Sequence, residues 1–191
     1  IENILSNLGM PNSSFKFNLT KSEKYNKYGK DLIEVLFSGN KGSEFSPIFK
    51  VVSGGELSRF LLAIKCVLET NIHNRTLLFD EIDSGIGGAV ANAVGIRLAK
   101  LGKAYQTIIV THSPQVSSKG DQHYLIEKNT IDGVTYSRVS ELLGKDRIEE
   151  IARPKLERQK AGNYGDTFPK KNTTLCMPYT TYKVYHLFIV H

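Results

Sequence analysis

The period of the apolar positions changes several times along the chain, and each change marks an element. Ile4, Leu5 and Leu8 share one helical face, and Gly9 reads as its stop. Phe15, Phe17 and Leu19 then alternate with polar residues, as in a strand. Residues 20–30 are polar and rich in Lys and Tyr, which reads as a loop; 31–37 (DLIEVLF) read as a second strand, and 38–47, with Gly39, Gly42 and Pro47, as another loop. Ser53-Gly54-Gly55 is a sharp break. After it Leu57, Leu61, Ile64 and Leu68 fall on one face of a long helix. Residues 76–79 form a short apolar run ending in Asp80-Glu81, the pattern of a buried parallel strand. Gly87 and Gly88 precede a helix over 89–101, and 107–110 form a second buried strand ending at Thr111-His112. Residues 121–127 and 134–139 alternate as a strand pair around an Asp132-Gly133 turn, and Ser140 opens a last helix with Glu141 in its first turn.

This alternation predicts an α/β domain: a mostly parallel sheet flanked by helices, with a β-hairpin near its C-terminal end. No internal repeat is visible. Beyond Arg153 the periodicity fades: Pro154, Pro169 and Pro178 interrupt it, and only 182–190 has the composition of a strand.

Composition narrows the class. A chain of 191 residues with 40% hydrophobic content supports one globular core. No apolar run approaches bilayer length, and Ile1-Glu2-Asn3-Ile4 is not the start of a signal peptide. Without an initiator Met, the reading expects a start further upstream. Cys66 and Cys176 lie far apart, outside any CxxC or Cys/His spacing, which fits a reducing cytoplasm rather than a disulfide framework or zinc site. The net charge of +6 suggests nucleic acid until it is located. Residues 1–152 hold 18 Lys and Arg against 17 Asp and Glu, whereas 153–191 hold 7 against 2. The body therefore offers no net electrostatic case for a DNA surface.

Three segments carry chemistry. In Ser53-Gly54-Gly55-Glu56-Leu57-Ser58-Arg59 two glycines allow close approach of an anion, directly before a helix whose free N–H groups and dipole converge there. An ordinary helix-capping turn fits the same residues equally well. Leu77-Leu78-Phe79-Asp80-Glu81 delivers two carboxylates at a strand's C-terminal end, where α/β sheets place ligands. There the first acid could help hold Mg²⁺ and the second orient or deprotonate an attacking water, although strands commonly end in solvated acidic turns. Thr111-His112-Ser113-Pro114 places a His at another strand end, where it could contact a phosphate; a lone His is more often structural. Their order, glycine turn with helix, acidic strand end, strand-end His, is more specific than any one of them.

The segments VVSGGELSRFLLAIK, LLFDEIDSGIGGAVANAVG and IIVTHSPQVSSKGDQHYLIEK resemble the RecN family of bacterial DNA repair proteins, SMC-like relatives with ABC-type ATPase heads. LGM and DLIEVLFSGNKG resemble the region before that family's signature loop, so the resemblance covers residues 1–152. It implies the C-terminal part of a P-loop/ABC-type head, with Ser53, Gly54 and Gly55 as the ATP-binding signature loop that caps the γ-phosphate held by an opposite head. It also implies Asp80 as the Walker B acid acting on Mg²⁺, Glu81 as the catalytic glutamate and His112 as the switch histidine. Gly85 to Gly88 occupy the D-loop region without its usual Asp; Asp83 is either a substitute or a solvated turn acid. The partners implied are a second head, in a homodimer with composite ATP sites, and a Walker A-containing N-terminal segment of the same protein. DNA would be engaged through the full-length assembly, at the nucleoid in the bacterial cytoplasm and not at a membrane.

Two departures shape the functional expectation. No GxxxxGK[ST] occurs, so this chain alone is expected to bind ATP poorly and not to turn it over. The resemblance also stops at Ile151-Ala152-Arg153, leaving 153–191 as an unmatched basic tail that reads either as a poorly structured, frame-shifted stretch or as a lineage-specific extension able to bind nucleic acid. Three functions follow from these residues: an ATP-driven machine for repair and recombination at DNA double-strand breaks, a non-catalytic interaction fragment of a half head, or a head of a transporter or another SMC-like protein. The IDSGIGG and HSPQV details favour the RecN reading over the third.

Overall fold

The computed structural model describes residues 1–68, 76–131, 134–153, 174–176 and 185–190. The elements run α1 (Glu2–Asn7), β1 (Ser14–Asn26), β2 (Gly29–Ser38), β3 (Ser46–Pro47), α2 (Ile48–Val51), α3 (Gly54–Val67), β4 (Thr76–Asp80), α4 (Gly88–Gly102) and β5 (Gln106–Thr111). They continue with α5 (Pro114–Ser117), β6 (Gln122–Ile131), β7 (Val134–Glu141), α6 (Gly144–Ala152), β8 (Thr174–Cys176) and β9 (Tyr185–Val190). β1, β2 and β3 form one small antiparallel sheet, and a six-stranded sheet has the order β4-β5-β9-β6-β7-β8.

The expected α/β class is present, but the sheet is mixed rather than mostly parallel. Among the described residues only β4 and β5 pair in parallel; β9 pairs antiparallel with both β5 and β6, and β7 antiparallel with β6 and β8. The reason is the C-terminal strand, whose apolar residues 187–190 fill the middle of the sheet. The strand read over 182–190 is thus found as β9, while residues 154–173 and 177–184 of the tail, like the Asp132-Gly133 turn, lie outside the described residues.

One core joins the layers. Leu5, Leu8 and Met10 of the N-terminal segment meet Phe37, Ile48, Phe60, Leu62, Phe79, Val94, Leu98, Ile109 and Phe188 in a single buried cluster. Phe60 makes edge contacts with Phe15 and Phe37, at centroid distances of 5.6 and 6.2 Å, which tie α3 to the small sheet.

Several elements differ from the periodicity. β1 runs through to Asn26 where a loop was expected: its pairing with β2 holds to Lys21–Asp31 and resumes at Asn26–Gly29 after an irregularity, while most side chains there face water. Ser140 and Glu141 pair with Leu125 and Tyr124 in the β6–β7 ladder, so the last helix begins at Gly144 instead. The most buried residues of α3 are Gly55, Arg59, Phe60, Leu62 and Ala63; of the predicted face, Leu57 and Ile64 pack against the core, whereas Leu61 and Leu68 are about half exposed, at 47% and 53%. β4 buries only Phe79 and leaves Leu78 67% exposed, because it is an edge strand of the described sheet.

Candidate active site at the carboxyl ends of the two parallel strands

In the parallel ladder Asp80 faces Val110, so Asp80-Glu81 and Thr111-His112 leave the sheet side by side at the same edge. Two motifs separate in sequence thus become neighbours through one strand pairing.

The third motif arrives through α3. Ser53 is its N-cap, in extended backbone, and forms a capping box with Glu56. The Glu56 N–H donates to Ser53 Oγ at 3.4 Å, while Ser53 N–H and Oγ each donate to Glu56 Oε2 at 2.8 Å. The backbone donation from Ser53 draws the Glu56 carboxyl below its ordinary value, with Arg59 adding to the effect against partial burial. The capping-turn reading of this segment is therefore a structural fact, and it is compatible with an anion site: the box leaves the N–H groups of Gly54 and Gly55 without an intrahelical acceptor.

What sets the first turn of α3 on the acidic strand end is a close backbone approach. A Cβ on Gly55 would lie 3.0 Å from the Glu81 carbonyl oxygen and 3.0 Å from Ser84 Cβ, whereas one on Gly54 would meet nothing within 4 Å. Ser58 Oγ donates to the Asp80 carbonyl at 3.0 Å. Arg59, buried at 4% exposure, donates from Nη1 to the carbonyls of Ile82 and Ser84 at 3.2 and 3.0 Å. Burial pulls the Arg59 guanidinium below its ordinary value, opposed by the nearby Glu56 and Asp83 carboxylates. Sequence reasoning placed Ser58 and Arg59 in the segment without a task; their partners lie 22 to 25 residues away, beyond the reach of local pattern.

Glu81 is exposed and adopts φ +51°, the single left-handed non-glycine conformation among the described residues. Its carbonyl closes the turn by accepting from Ser84 N–H at 2.9 Å. Asp80, also exposed, offers a hard carboxylate at the strand end. Mg²⁺ in nucleotide sites takes one or two carboxylates together with substrate phosphates and waters, so a single Asp suits it. No cluster of three or more His, Cys, Asp or Glu suited to a metal occurs among the described residues.

The open alternative for Asp83 resolves against a solvated turn. Asp83 is 3% exposed, and its Oδ2 accepts from Thr111 Oγ1 at 2.6 Å and from His112 N–H at 3.2 Å, with His112 Nδ1 at 3.4 Å. The His112 side chain remains about half exposed, so one side of the imidazole is held and the other faces outward. Behind it, α5 is fixed by Ser117 Oγ donating to the Ser113 carbonyl at 2.7 Å.

The geometry thus collects a helix N-terminus with two glycines, two carboxylates at a strand end and a restrained imidazole around one edge. No family model matches the chain. Among curated proteins it is 41% identical over 150 residues to the DNA repair protein RecN of Deinococcus radiodurans, which covers 78% of this chain and 26% of that protein. It is 43% identical over 149 residues to the same-named protein of Rickettsia bellii, covering 78% and 27%. The chain thus spans about a quarter of the length of the curated relatives it matches. A solved Smc head bound to the C-terminal winged-helix domain of ScpA aligns with 24% identity and a TM-score of 0.47, over 78% of this chain and 42% of that one.

Proposed function

Over the stretch it shares with these relatives the chain belongs to the RecN family of DNA repair proteins, and from that premise we propose that it supplies one half of a composite ATPase site used in the repair of DNA double-strand breaks. The observation that carries this reading is the contact of Gly55 with Glu81 next to the Asp83-held His112. It brings the Ser53-Gly54-Gly55 turn, Asp80-Glu81 and His112 around one sheet edge, which supports the reading.

Each residue has a distinct task in this reading. The N–H groups of Gly54 and Gly55, at the positive end of α3, cap the γ-phosphate of an ATP held by an opposite head, with Ser53 setting the helix entry. Asp80 would help hold Mg²⁺, and the chemistry that ion would supply is compensation of negative charge on the transferred phosphoryl group. Glu81 orients the attacking water and accepts its proton. His112 contacts the γ-phosphate from the second strand end and registers its loss. The α- and β-phosphates need the Walker A cradle of the N-terminal segment of the same protein, so Glu81-dependent turnover belongs to the complete head, in an ATP-driven homodimer that engages DNA as a full-length assembly.

The alternative is a non-catalytic fragment that docks onto an intact head. Mixing this chain with a Walker A-containing RecN segment separates the two. The ATPase reading expects hydrolysis that appears only in the mixture and is abolished by Glu81→Gln. Hydrolysis insensitive to Glu81→Gln, or association without turnover, would favour the docking fragment.

A further inference from the structure

The hairpin of β1 and β2 is anchored at one end only. At its base Phe15 and Phe37 pack on Phe60 of α3, with ring centroids 5.6 and 6.2 Å away. Beyond that contact residues 16–34 are exposed, apart from half-buried Ser22, Gly29 and Lys30. Successive side chains of a strand point to opposite faces, so exposure at successive positions means that neither face is covered by the described residues. The outer hairpin is therefore an arm that stands in solvent.

Charge is concentrated on this arm. Residues 16–30 hold five Lys and one Glu, whereas the rest of 1–152 holds 13 Lys and Arg against 16 Asp and Glu. A near-neutral total thus conceals a basic arm on an acidic body. Lys21, Lys24, Lys27 and Lys30 recur at every third position, and Tyr25 and Tyr28 among them are 81% and 83% exposed. Lys30 Nζ lies 4.6 Å from the Tyr25 ring centroid, and Lys27 Nζ 4.8 Å from that of Tyr28. Each ring carries an ammonium group on one face and still shows most of its surface to solvent. The tip is ordered to present them: Asn26 Oδ1 accepts from Tyr28 N–H at 2.7 Å, Asn26 pairs with Gly29, and Gly29 takes a φ of +109° that favours glycine.

Neither tyrosine belongs to the buried core, so the fold does not account for two rings set among four lysines. A phosphate chain with unpaired bases matches both features: ammonium groups contact phosphates, and bases stack on aromatic rings. In a duplex the base faces are stacked on one another, so a duplex engages the lysines alone. We propose that the β1–β2 arm is a binding site for single-stranded DNA, with bases stacked on Tyr25 and Tyr28 and phosphates contacted by Lys21, Lys24, Lys27 and Lys30. Single-stranded RNA shares this chemistry, and the choice of DNA rests on the function proposed above. The site requires neither ATP nor a second head, so this chain carries it alone.

The test titrates the full chain into fluorescently labelled oligothymidylate of about 15 nucleotides, oligouridylate of the same length, and a duplex, and reads anisotropy. The basic tail is common to every variant, so differences between variants report the arm. Tyr25→Ala with Tyr28→Ala, both at exposed positions, should weaken oligothymidylate binding at least about tenfold and duplex binding by less than about twofold. Tyr25→Phe with Tyr28→Phe keeps both rings and should bind as the unsubstituted chain does. Lys24→Gln with Lys27→Gln should lower the slope of log Kd against log salt by about 1.4, from about 0.7 for each phosphate contact to a single strand. Unchanged oligothymidylate binding by the alanine variant, an equal loss on the duplex, or no binding by the unsubstituted chain overturns the proposal. Tighter tyrosine-dependent binding of the oligouridylate overturns the choice of DNA. All of these are read without ATP, whereas the ATPase reading fails only through the Glu81→Gln mixture, so the two failures are distinguishable.

Discussion

The Asp83 carboxylate accepts the Thr111 hydroxyl at 2.6 Å, tying the loop after β4 to the end of β5 by a side chain on each. The same oxygen takes the His112 N–H at 3.2 Å, whereas Oδ1, equally buried, has no hydrogen-bond partner among the described residues. A buried carboxylate with one oxygen unpaired is retained at a cost, and the donors on Oδ2 show what it secures: the backbone course on which His112 is carried.

Asp83→Ala should therefore lower the stability of the chain by about 1–3 kcal/mol, because it leaves the Thr111 hydroxyl and the His112 N–H to find other partners. Thr111→Val alone should cost less, about 1 kcal/mol. Combined, the two should cost less than their sum, since they remove one shared bond. Urea denaturation of the four proteins reads this directly. Additive losses would show that the 2.6 Å contact does not couple the two loops.

Gly54 and Gly55 are adjacent in the turn that opens α3 yet should respond differently to alanine. A methyl at Gly54 enters open space, while one at Gly55 meets the Glu81 carbonyl and Ser84 Cβ at 3.0 Å. Gly55→Ala should cost about 1–3 kcal/mol through forced displacement of α3 from the acidic loop, and in the assembled head it should lower kcat. Gly54→Ala should leave the melting temperature nearly unchanged. Thermal unfolding of both variants checks the contrast, and equal shifts would sink the close-approach argument.

These contacts also show what the sequence could and could not convey. Ser53-Gly54-Gly55, Asp80-Glu81 and His112 are legible because each sits where a local period breaks, and breaks can be read from a short window. Arg59 and Asp83 are not, because their partners lie 23 to 29 residues away and are set by the β4–β5 pairing. The predicted face of α3 holds in part: Leu57 and Ile64 pack against the core, while Leu61 and Leu68 are about half exposed, and Arg59 is buried with Phe60, Leu62 and Ala63 because the carbonyls of Ile82 and Ser84 satisfy its guanidinium. The α/β alternation predicts the class correctly, but no alternation reveals that a reversed strand from the tail sits between β5 and β6.

The Glu56 capping box predicts a pH dependence with a definite sign. Its carboxyl is held below the ordinary value in the folded state, chiefly by the Ser53 N–H. Its contribution is thus present above the unfolded-state value, about 4.3, and is lost as pH falls through the lower folded value. Glu56→Gln should weaken stability at neutral pH by a fraction of a kcal/mol, about the size of one cap interaction. The difference between the two proteins should shrink on acidification below about pH 4. Denaturant midpoints measured from pH 7 to pH 3 check both parts, and a difference that grows toward acid would contradict the sign.

Glu81 combines a left-handed backbone with an exposed carboxylate, and the two can be separated by substitution. A non-glycine residue at φ +51° costs on the order of 1 kcal/mol relative to glycine. Glu81→Gly should therefore stabilise the chain by about that amount, while Glu81→Gln, which keeps the Cβ and the strain, should leave stability unchanged. In the complete head both should abolish ATP hydrolysis, since neither can take a proton from the attacking water. A gain in stability coupled to a loss of turnover marks strain retained for a catalytic geometry rather than for folding. The decisive pair of measurements is a denaturation curve of each variant and the turnover of each in the assembled head. If Glu81→Gly destabilised the chain, the side chain would be serving the fold. If Glu81→Gln kept full turnover, the water-activating base would lie elsewhere.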